Sequence, residues 1–235
     1  MKKIAVISGV TSGVGKALVN RFTELDWQVV GLSRTKNRLL ELEDTLGPDF
    51  LGLQVDVQSE NDVSKVLDHI KNSFHKIDLL VNNAAIFKME EFIKCSFADI
   101  NTIIDTNLKG VMYLTLKAIK IMKHSDTSGR IINIGSVASV HGIENQAIYC
   151  ASKFGLNGFA EALNQEIIKY NISISTIFPG GINTPLWNES NPYPGGDVKN
   201  ILQCSDIVKI VEYISELEPR VVLKNLTIFP SNEWH

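Results

Sequence analysis

A serine, a tyrosine and a lysine in the second half of the chain have the residue types and the spacing for proton transfer. Tyr149 and Lys153 are four residues apart, so a helix would place both side chains on one face. A tyrosine hydroxyl titrates at about pH 10, and an ammonium group within about 4 to 6 Å favours its ionised form. Ser136 ends an apolar run upstream and could hold a substrate oxygen by a hydrogen bond. We expect these three residues to exchange a proton with a substrate, with Lys153 lowering the pKa of Tyr149.

The same spacing occurs at a second place, so it decides nothing by itself. Tyr113 and Lys117 also stand four residues apart, inside a helical stretch predicted at residues 108–123, and no strand-end serine closely precedes them. Tyr149, by contrast, follows the apolar run of residues 130–134, which leads through a glycine to the strand-end serine. We predict that the first pair belongs to the helix surface or its packing, and that the later pair is catalytic.

A glycine-rich turn near the N-terminus could bind a pyrophosphate. An apolar run at residues 4–8 is followed by Gly9, Gly13 and Gly15, and then by helical periodicity as far as residue 25. Such a turn lets a phosphate approach the backbone, and the N–H groups and positive dipole end of the following helix attract it. A tight connection between a strand and a helix would need similar residues. The position after the first strand of an alternating pattern favours a dinucleotide site.

Together these motifs resemble those of the short-chain dehydrogenase/reductase family, and the resemblance extends over nearly the whole chain. Ser8-Gly9 with Gly13 and Gly15 resembles the family's glycine turn, and Asn82-Asn83-Ala84-Ala85 resembles its Asn-Asn-Ala-Gly segment. Its catalytic tetrad corresponds to Asn107, Ser136, Tyr149 and Lys153. Its Pro-Gly-x-x-x-Thr element corresponds to Pro179-Gly180 with Thr184. The departures are Ser8 for threonine, Ala85 for glycine, and Gly135 where many members have a serine. None of them removes a reacting group.

The resemblance implies a nicotinamide cofactor and gives a role to each matching residue. Lys153 would hold the hydroxyls of the nicotinamide ribose besides lowering the pKa of Tyr149. Asn107 would distort its helix and hold a water molecule on a proton relay to the lysine, which explains an asparagine in a helix interior. The residues expected to bind the cofactor are Gly9, Thr11, Ser12, Gly13, Val14, Gly15, Ser33, Arg34, Asp56, Val57, Asn83, Ala84, Ala85, Tyr149, Lys153, Pro179, Gly180, Ile182 and Thr184.

The residues after the second strand favour NADP over NAD. Sheets that select NAD place a carboxylate there, which accepts a hydrogen bond from the 2′-hydroxyl of the adenosine ribose. Here the segment is Ser33-Arg34-Thr35, and Arg34 could pair with a 2′-phosphate through two charge-assisted hydrogen bonds. A solvated arginine is the alternative, and Ser12 stands where many NADP-preferring relatives carry a basic residue. The resemblance implies that Asp56, after the third strand, accepts a hydrogen bond from the adenine amino group. The alternative is that it acts only as a turn residue.

Apolar runs alternate with helical stretches along the whole chain, which predicts a parallel sheet with helices on both faces. We expect a single α/β domain over residues 1–235, with a Rossmann-like, doubly wound sheet of seven mostly parallel strands. The strands are predicted at residues 3–8, 28–33, 50–55, 79–81, 130–134, 172–178 and 226–229. Gly47-Pro48 indicates a helix end, and Ser59 and Ser205 are predicted N-caps.

One segment interrupts this alternation, and we predict that it is a substrate lid. Residues 186–202 are rich in proline, glycine and asparagine, and they follow the element that the resemblance places beside the nicotinamide. Long irregular connections in compact domains are often functional. Trp187 and Tyr193 would form apolar walls of the substrate pocket. The alternative is a mobile surface loop that contacts nothing.

The composition is that of an ordinary globular protein and excludes several classes of function. The chain has 235 residues, of which 44% are hydrophobic and 21% charged, and its net charge is −3. No basic field would hold nucleic acid or an anionic membrane, and the N-terminal apolar run of residues 4–7 is too short for a signal peptide core or a membrane span. Cys95, Cys150, Cys204 and the histidines show no disulfide or metal-ligand spacing. We expect a cytoplasmic protein without a metal ion, assembled as a homo-dimer or tetramer.

The predicted function is reversible hydride transfer between NADP(H) and a carbonyl or secondary alcohol substrate, by a Ser-Tyr-Lys mechanism. A 3-oxoacyl-[acyl-carrier-protein] reductase is the alternative within the enzyme class. That reaction would need basic residues beside the cleft, and the lid offers Glu189, Asp197 and only Lys199, so a small-molecule carbonyl substrate ranks slightly higher. A non-catalytic NADP-binding regulator would have no need of the serine, the tyrosine and the lysine.

Overall fold

The computed structural model describes residues 2–125, 128–195 and 197–231, and its strands form one parallel sheet. The strands are β1 (Ile4–Ser8), β2 (Gln28–Ser33), β3 (Phe50–Gln54), β4 (Leu79–Asn82), β5 (Gly129–Ile134), β6 (Ile172–Pro179) and β7 (Asn225–Ile228). Their order is β3-β2-β1-β4-β5-β6-β7, and each neighbouring pair is parallel. The predicted strands are confirmed, and every predicted end lies within one residue of the observed end.

Helices cover both faces of this sheet. They are α1 (Gly13–Glu24), α2 (Lys36–Leu46), α3 (Glu60–Phe74), α4 (Phe97–Ile104), α5 (Gly110–Met122), α6 (Ala147–Ile167) and α7 (Cys204–Glu216). On one face, Ile7 of β1 packs in a core cluster with Leu18 of α1 and Val211 of α7. On the other face, its neighbour Val6 belongs to a cluster with Leu114 of α5. Both strand faces are therefore buried, as in the doubly wound fold that the sequence predicts.

In the described residues, no helix is both long enough and apolar enough to pass through a membrane.

The strand order reverses between β1 and β4, and this reversal places the functional site. The chain runs outward from β1 to β2 and β3, and then returns to form β4 on the other side of β1. In open α/β sheets, ligands bind outside the carboxyl ends of the strands at such a switch point. The loops that follow β1, β4, β5 and β6 are thus positioned to surround one cleft.

Two of the helix signals read from the sequence are confirmed. Helix α2 ends at Leu46, and Gly47 follows with a φ of 73°. Ser59 caps α3, because its hydroxyl accepts a hydrogen bond from the Asp62 N–H at 3.2 Å. Both signals depend on local chemistry alone, which is why the sequence was sufficient for them.

The cap predicted at Ser205 is wrong, because helix α7 begins one residue earlier. Cys204 is the first helical residue, so Ser205 lies inside the first turn. Gln203 caps the helix instead, and its backbone N–H donates to the Asp206 carboxylate at 2.8 Å. That carboxylate also interacts favourably with the positive end of the helix dipole. The acidic residue, rather than the hydroxyl, marks this helix start.

A buried arginine joins the start of β5 to the segment that follows α7. Arg130 is 7% exposed, and its guanidinium donates to the backbone carbonyls of Leu217, Glu218 and Val221. The last carbonyls of a helix have no partners within the helix, so an arginine can satisfy them. The contact fixes the end of α7 against the strand whose other end carries Ser136.

Candidate active site

A large cleft opens at the carboxyl ends of the strands. It has a volume of about 1060 Å³ and extends from the residues after β2 to those after β6. Every residue predicted to bind the cofactor lines this cleft except Gly15. Ser136, Tyr149 and Lys153 line it as well, whereas Asn107 lies behind its wall. Motifs that are far apart in the chain thus meet at one place.

The turn after β1 needs glycine for its backbone conformation and for close packing. Gly9 has a φ of 72° and Gly13 a φ of 52°, in the left-handed region that residues with side chains rarely adopt. A Cβ atom on Gly15 would lie 2.1 Å from the carbonyl oxygen of Gly9. Gly15 therefore packs beneath the turn, which explains why it does not line the cleft.

Hydrogen bonds of two polar side chains connect this turn to the loop after β4. The Ser8 hydroxyl accepts hydrogen bonds from the backbone N–H groups of Asn83 and Ala84, both at 3.0 Å. The Asn83 side chain donates to the carbonyls of Ser8 at 3.0 Å and Gly9 at 3.1 Å. Because serine keeps a hydroxyl where the family has threonine, this departure from the family pattern preserves the contact.

The end of the cleft beside β2 carries an arginine that is available for an anion. Arg34 is exposed and forms no ion pair with any residue that the structure describes. The hydroxyls of Ser33 and Thr11 lie 3.4 Å apart in the adjoining wall. Asp56 accepts from the Gln58 N–H at 3.0 Å, as a turn residue does, and it also lines the cleft, so its contact with the adenine amino group stays a prediction.

The residues in this half of the cleft fit a dinucleotide. Helix α1 begins at Gly13, its cap Ser12 makes no side-chain hydrogen bond to the helix, and its first turn contains no acidic residue. The N–H groups of that turn and the helix dipole therefore point a partial positive charge at the cleft, where a diphosphate would lie. Arg34 adds a full positive charge at the β2 end. These donors match a ligand with phosphate groups.

Ser136, Tyr149 and Lys153 converge in the other half of the cleft. Ser136 follows β5, while Tyr149 and Lys153 lie on helix α6 and are 7% and 3% exposed. The Lys153 ammonium donates to the Ile134 carbonyl at 2.9 Å and lies 5.6 Å from the centre of the Tyr149 ring. The Ser136 side chain is near enough to the Tyr149 hydroxyl to lower its pKa in part. A hydroxyl, a phenol and an ammonium group thus surround one point of the cleft.

Burial sets the pKa values of this cluster, and one expectation about them is wrong. Burial raises the pKa of Tyr149 to about 12, and the nearby Ser136 side chain opposes the rise only in part. Burial also lowers the pKa of Lys153 to about 8. The predicted lowering of the Tyr149 pKa by Lys153 is not found, because loss of hydration disfavours the charged form of both groups. The Tyr149 hydroxyl therefore keeps its proton at neutral pH.

Asn107 contacts the site from behind. It lies in a π-helical turn, Asp105–Lys109, between α4 and α5, and it is 1% exposed. Its side chain accepts from the N–H of Ile86 and donates to the carbonyl of Ile86, both at 2.9 Å, and it donates to Ser152 Oγ at 3.2 Å. The Ser152 hydroxyl donates to the Tyr149 carbonyl at 2.7 Å. The helix distortion that the resemblance implies is present, and Asn107 links the loop after β4 to α6.

The second tyrosine–lysine pair lies outside the site. Tyr113 is on α5 and packs against the core cluster between that helix and the sheet. Neither Tyr113 nor Lys117 lines the cleft. The prediction that this pair belongs to helix packing or to the helix surface is confirmed.

Sequence reasoning missed several aromatic and aliphatic side chains around Tyr149. Phe87, in the loop after β4, meets the Tyr149 ring edge to face with centroids 5.0 Å apart. Val137 and Ile143 line the same cleft. No spacing rule marks these positions, because they come from two loops whose paths depend on the complete fold.

The two aromatic walls predicted in the lid segment do line the cleft. Trp187 packs edge to face against Phe87 with centroids 5.3 Å apart, and against Tyr193 at 5.1 Å. Both lid residues are part of the cleft lining. The rings therefore continue from Tyr149 through Phe87 into the segment of residues 186–202.

A polar contact joins this segment to the rest of the site. Asn191 Oδ1 accepts a hydrogen bond from the Met89 N–H, in the loop after β4, at 2.9 Å. The alternative of a loop that contacts nothing is therefore wrong. Within this segment, Gly196 lies outside the described residues.

Known proteins match this chain along most of its length. The family model described as short chain dehydrogenase matches residues 3–194. A 3-oxoacyl-[acyl-carrier-protein] reductase of Salmonella typhimurium is 34% identical over 184 residues, which is 78% of this chain and 75% of the reductase. A farnesol dehydrogenase of Aedes aegypti is 30% identical over 240 residues, which is 98% of this chain and 97% of that enzyme.

Solved structures share the fold with either dinucleotide bound. The closed form of serine dehydrogenase complexed with NADP⁺ has a TM-score of 0.89 and 28% identity, over 99% of this chain and 96% of that chain. A 3-ketoacyl-(acyl-carrier-protein) reductase from Brucella melitensis complexed with NADH has a TM-score of 0.89 and 24% identity, over 97% of each chain. The glycine turn, the cluster of Ser136, Tyr149 and Lys153, and these matches agree: the chain belongs to the short-chain dehydrogenase/reductase family of oxidoreductases.

Proposed function

We propose that this oxidoreductase reduces the carbonyl group of a small molecule with NADPH, and that it also catalyses the reverse oxidation of the alcohol. The observation that carries the proposal is the convergence of Ser136, Tyr149 and Lys153 at one end of a cleft whose other end holds Arg34. A protein that only bound the dinucleotide would have no need of the Ser136 and Tyr149 hydroxyls.

Each side chain of the cluster has one task in the proposed reduction. When bound, NADPH supplies the hydride that adds to the carbonyl carbon. The π electrons of the C=O bond move to the oxygen, which takes a proton from the Tyr149 hydroxyl while Ser136 donates a hydrogen bond to it. A phenol with a pKa of about 12 is protonated at neutral pH and is therefore ready to donate. Lys153 would bind the hydroxyls of the nicotinamide ribose.

We infer that Asn107 acts by positioning other groups. Its side chain does not line the cleft, and its hydrogen bonds go to Ile86 and Ser152. These bonds hold the loop that carries Phe87 at a defined distance from Tyr149. The water-mediated relay implied by the resemblance would return a proton to Lys153 along the same π-helical turn.

NADP is the preferred cofactor in this proposal. Arg34 can give two charge-assisted hydrogen bonds to a 2′-phosphate, and residues 33–35 include no carboxylate that would repel it. The serine dehydrogenase neighbour was solved with NADP⁺, whereas the Brucella reductase was solved with NADH. Our choice of NADP over NAD therefore rests on the positive charge of Arg34 beside β2, and the relatives do not decide it.

The relatives represent two kinds of substrate, and the charges beside the cleft favour one of them. The bacterial reductases are named for 3-oxoacyl groups on a carrier protein, and the mosquito enzyme is named for farnesol, an uncharged apolar alcohol. An acidic carrier would need free basic residues here. Lys88 is instead paired with Asp99 at 2.9 Å, and Lys94 with Glu91 at 2.7 Å. We rank a small carbonyl compound first and a carrier-bound thioester second.

The proposal is tested by following NADPH and NADH absorbance while the protein is offered ketones, aldehydes, quinones and 3-oxoacyl thioesters. We expect turnover of small carbonyl compounds, with NADPH preferred. Turnover of the thioesters alone would reverse our ranking. A protein that binds NADPH but reduces no carbonyl of any class would refute the proposed reaction.

We also infer a homo-oligomer that works in the cytoplasm. Leu116 on α5 and Phe154 on α6 are 54% and 45% exposed, and apolar side chains on helix surfaces are commonly covered by a second copy of a chain. Sedimentation analysis should give a dimer or a tetramer, and a monomer at all concentrations would contradict this inference.

A further inference from the structure

Aromatic and aliphatic side chains surround the reacting point of the cleft. Consecutive edge-to-face contacts, with centroid distances of 5.0, 5.3 and 5.1 Å, connect Tyr149, Phe87, Trp187 and Tyr193. We name Phe87, Trp187 and Tyr193 the aromatic wall. Ile143, which packs against the buried cluster that includes Tyr149, adds an aliphatic surface. A substrate carbonyl that reaches Tyr149 must therefore bring its neighbouring atoms against apolar surface.

Among the residues that the structure describes, no cation in this half of the cleft is available to an anionic substrate. Arg34 follows β2, three strand positions or about 14 Å from β5 and the serine that follows it. Lys153 does line this half, but it is 3% exposed and donates to the Ile134 carbonyl. In the proposed function this ammonium also binds ribose hydroxyls. Neither cation can therefore serve a carboxylate on the substrate.

Charged side chains around this half of the cleft do not provide a partner for an anionic substrate either. Lys88 is not part of the cleft lining, and its ammonium is paired with Asp99 at 2.9 Å. His141 and Glu144 both line the cleft and are exposed, three residues apart in one loop, so a base and an acid stand together there. An anionic substrate would lose hydration without gaining a dedicated partner.

We propose that the substrate is an uncharged ketone or aldehyde with a flat apolar group, preferably an aromatic ring, that packs against the aromatic wall. The inference rests on the proposed carbonyl reduction and adds the chemistry of the group beside the reacting carbon. Rings packed edge to face gain affinity beyond the area that they bury, whereas a carboxylate buried without a partner is strongly disfavoured. Phe87 and Trp187 are then specificity-determining residues, and carboxylated analogues are rejected.

Three aldehydes that differ in one feature each test this substrate class: benzaldehyde, cyclohexanecarbaldehyde and 4-carboxybenzaldehyde. We expect kcat/KM, followed by NADPH absorbance, to be about tenfold higher for benzaldehyde than for the cyclohexyl compound. We expect it to be at least about 100-fold lower for the carboxylated ring than for benzaldehyde. Equal or better use of the carboxylated aldehyde would overturn the inference. Inactivity with all three aldehydes and with the wider carbonyl panel would instead refute the proposed reaction.

Variants of the aromatic wall test where the discrimination arises. Phe87→Leu and Trp187→Leu should each reduce the preference for benzaldehyde over cyclohexanecarbaldehyde to about twofold or less, because an edge-to-face contact is lost. Tyr213→Leu is the matched control, since this tyrosine is 59% exposed on α7 and does not line the cleft. The control should keep the full preference. An unchanged preference in both wall variants would show that the ring does not bind there.

A gain of function gives an independent test. Leu186→Arg would introduce a cation into the cleft lining, so kcat/KM for 4-carboxybenzaldehyde should rise by about tenfold or more. A variant that still reduces benzaldehyde but gains nothing with the carboxylated ring would count against the charge argument.

A binding measurement avoids any dependence on turnover. Benzaldehyde should quench tryptophan fluorescence in the wild-type protein and should quench it much less in Trp187→Phe, where Trp27 is still present in the core. Equal quenching in the two proteins, or stronger quenching by 4-carboxybenzaldehyde than by benzaldehyde, would overturn the inference.

Discussion

At the scale of the single residue, burial decides what Tyr149 and Lys153 can do. With a pKa of about 12, the Tyr149 hydroxyl is protonated at neutral pH, and it is a weaker acid than an ordinary phenol. Oxidation of an alcohol would begin from the phenolate, which this site disfavours by itself. In the proposed function, reduction therefore uses the form of Tyr149 that is present at neutral pH, and Lys153 contributes by binding the ribose and by its position.

Replacing the phenol tests its catalytic role directly. Tyr149→Phe removes the proton donor and keeps the ring that packs on Phe87, so turnover should fall by about 100-fold to 10,000-fold. The dissociation constant for NADPH, measured by fluorescence, should change little. Tyr113→Phe removes a hydroxyl from the second pair and should alter neither quantity. Equal losses in the two variants would refute the assignment of the catalytic pair.

Replacing the lysine should increase stability while turnover is lost. A folded-state pKa of about 8, below the ordinary 10.5, means that the buried ammonium destabilises the protein at pH 7. Between pH 8 and 10.5 the unfolded chain binds this proton and the folded chain does not, so the group's contribution to stability rises with pH. We expect Lys153→Met to raise the free energy of unfolding by about 1 kcal/mol or more at pH 7, and by less at pH 10.

Urea unfolding at pH 7 and at pH 10 tests whether Lys153→Met raises the free energy of unfolding. Lys117→Met is the matched control, because its lysine is only partly buried in the second pair. The control should show no gain that depends on pH. A Lys153→Met protein that is less stable than the wild type at pH 7 would contradict the expectation.

The arginine after β2 should decide between the two dinucleotides. Arg34→Ala removes the cation proposed for the 2′-phosphate, so the dissociation constant for NADPH should rise by about 10-fold to 100-fold. The constant for NADH should hardly change, because NADH has no phosphate at that position. Arg220→Ala, a remote exposed arginine, serves as the control. Equal weakening of both dinucleotides would argue against NADP selection by Arg34.

At the scale of the element, an irregular helical turn connects helix α6 to the loop after β4. Asn107→Leu would leave the Ile86 N–H and carbonyl without their side-chain partner and would release Ser152. We expect kcat to fall by at least about tenfold, since Tyr149 loses its fixed position, while the dissociation constant for NADPH stays within about twofold. Asn101→Ala on the exposed face of α4 should leave kcat unchanged. A loss confined to stability, with kcat retained, would remove the positioning role.

The strands and their end residues could be predicted because their signals are local. Each apolar run is bounded by residues that form turns, and the runs in the middle of the sheet are buried, so strand ends were predictable to within one residue. The π-helical turn leaves no mark in the periodicity, and only the unusual asparagine in a helix pointed to it. Phe87 was missed because its contact with Tyr149 depends on where two separate loops end up in space. The pKa of Tyr149 was predicted in the wrong direction because a spacing rule contains no information about burial.

At the scale of the whole molecule, the cleft is a property of the complete sheet. Its lining begins at Gly9 after β1 and ends at Gly195 in the lid segment, and it includes residues from the loops after β2, β3, β4 and β5. The two core clusters, one on each face of the sheet, fix the strands and helices that these loops connect. The dinucleotide half and the substrate half therefore form together when the domain folds, and neither is expected to form in a fragment.

The contact between Arg130 and the end of α7 extends this dependence to a helix that has no residue in the cleft. If α7 detached, the buried Arg130 guanidinium would lose its hydrogen bonds to the backbone carbonyls that follow α7, and the start of β5 would lose this support. We therefore expect α7 and β5 to open as one cooperative unit. Native-state hydrogen exchange should give the amides of α7 and β5 similar opening free energies, and Arg130→Met should lower both together. If the amides of α7 exchanged with a much lower opening free energy than those of β5, the two elements would not form one cooperative unit. Sequence changes far from the substrate could thus tune the lifetime of the active state without altering its chemistry.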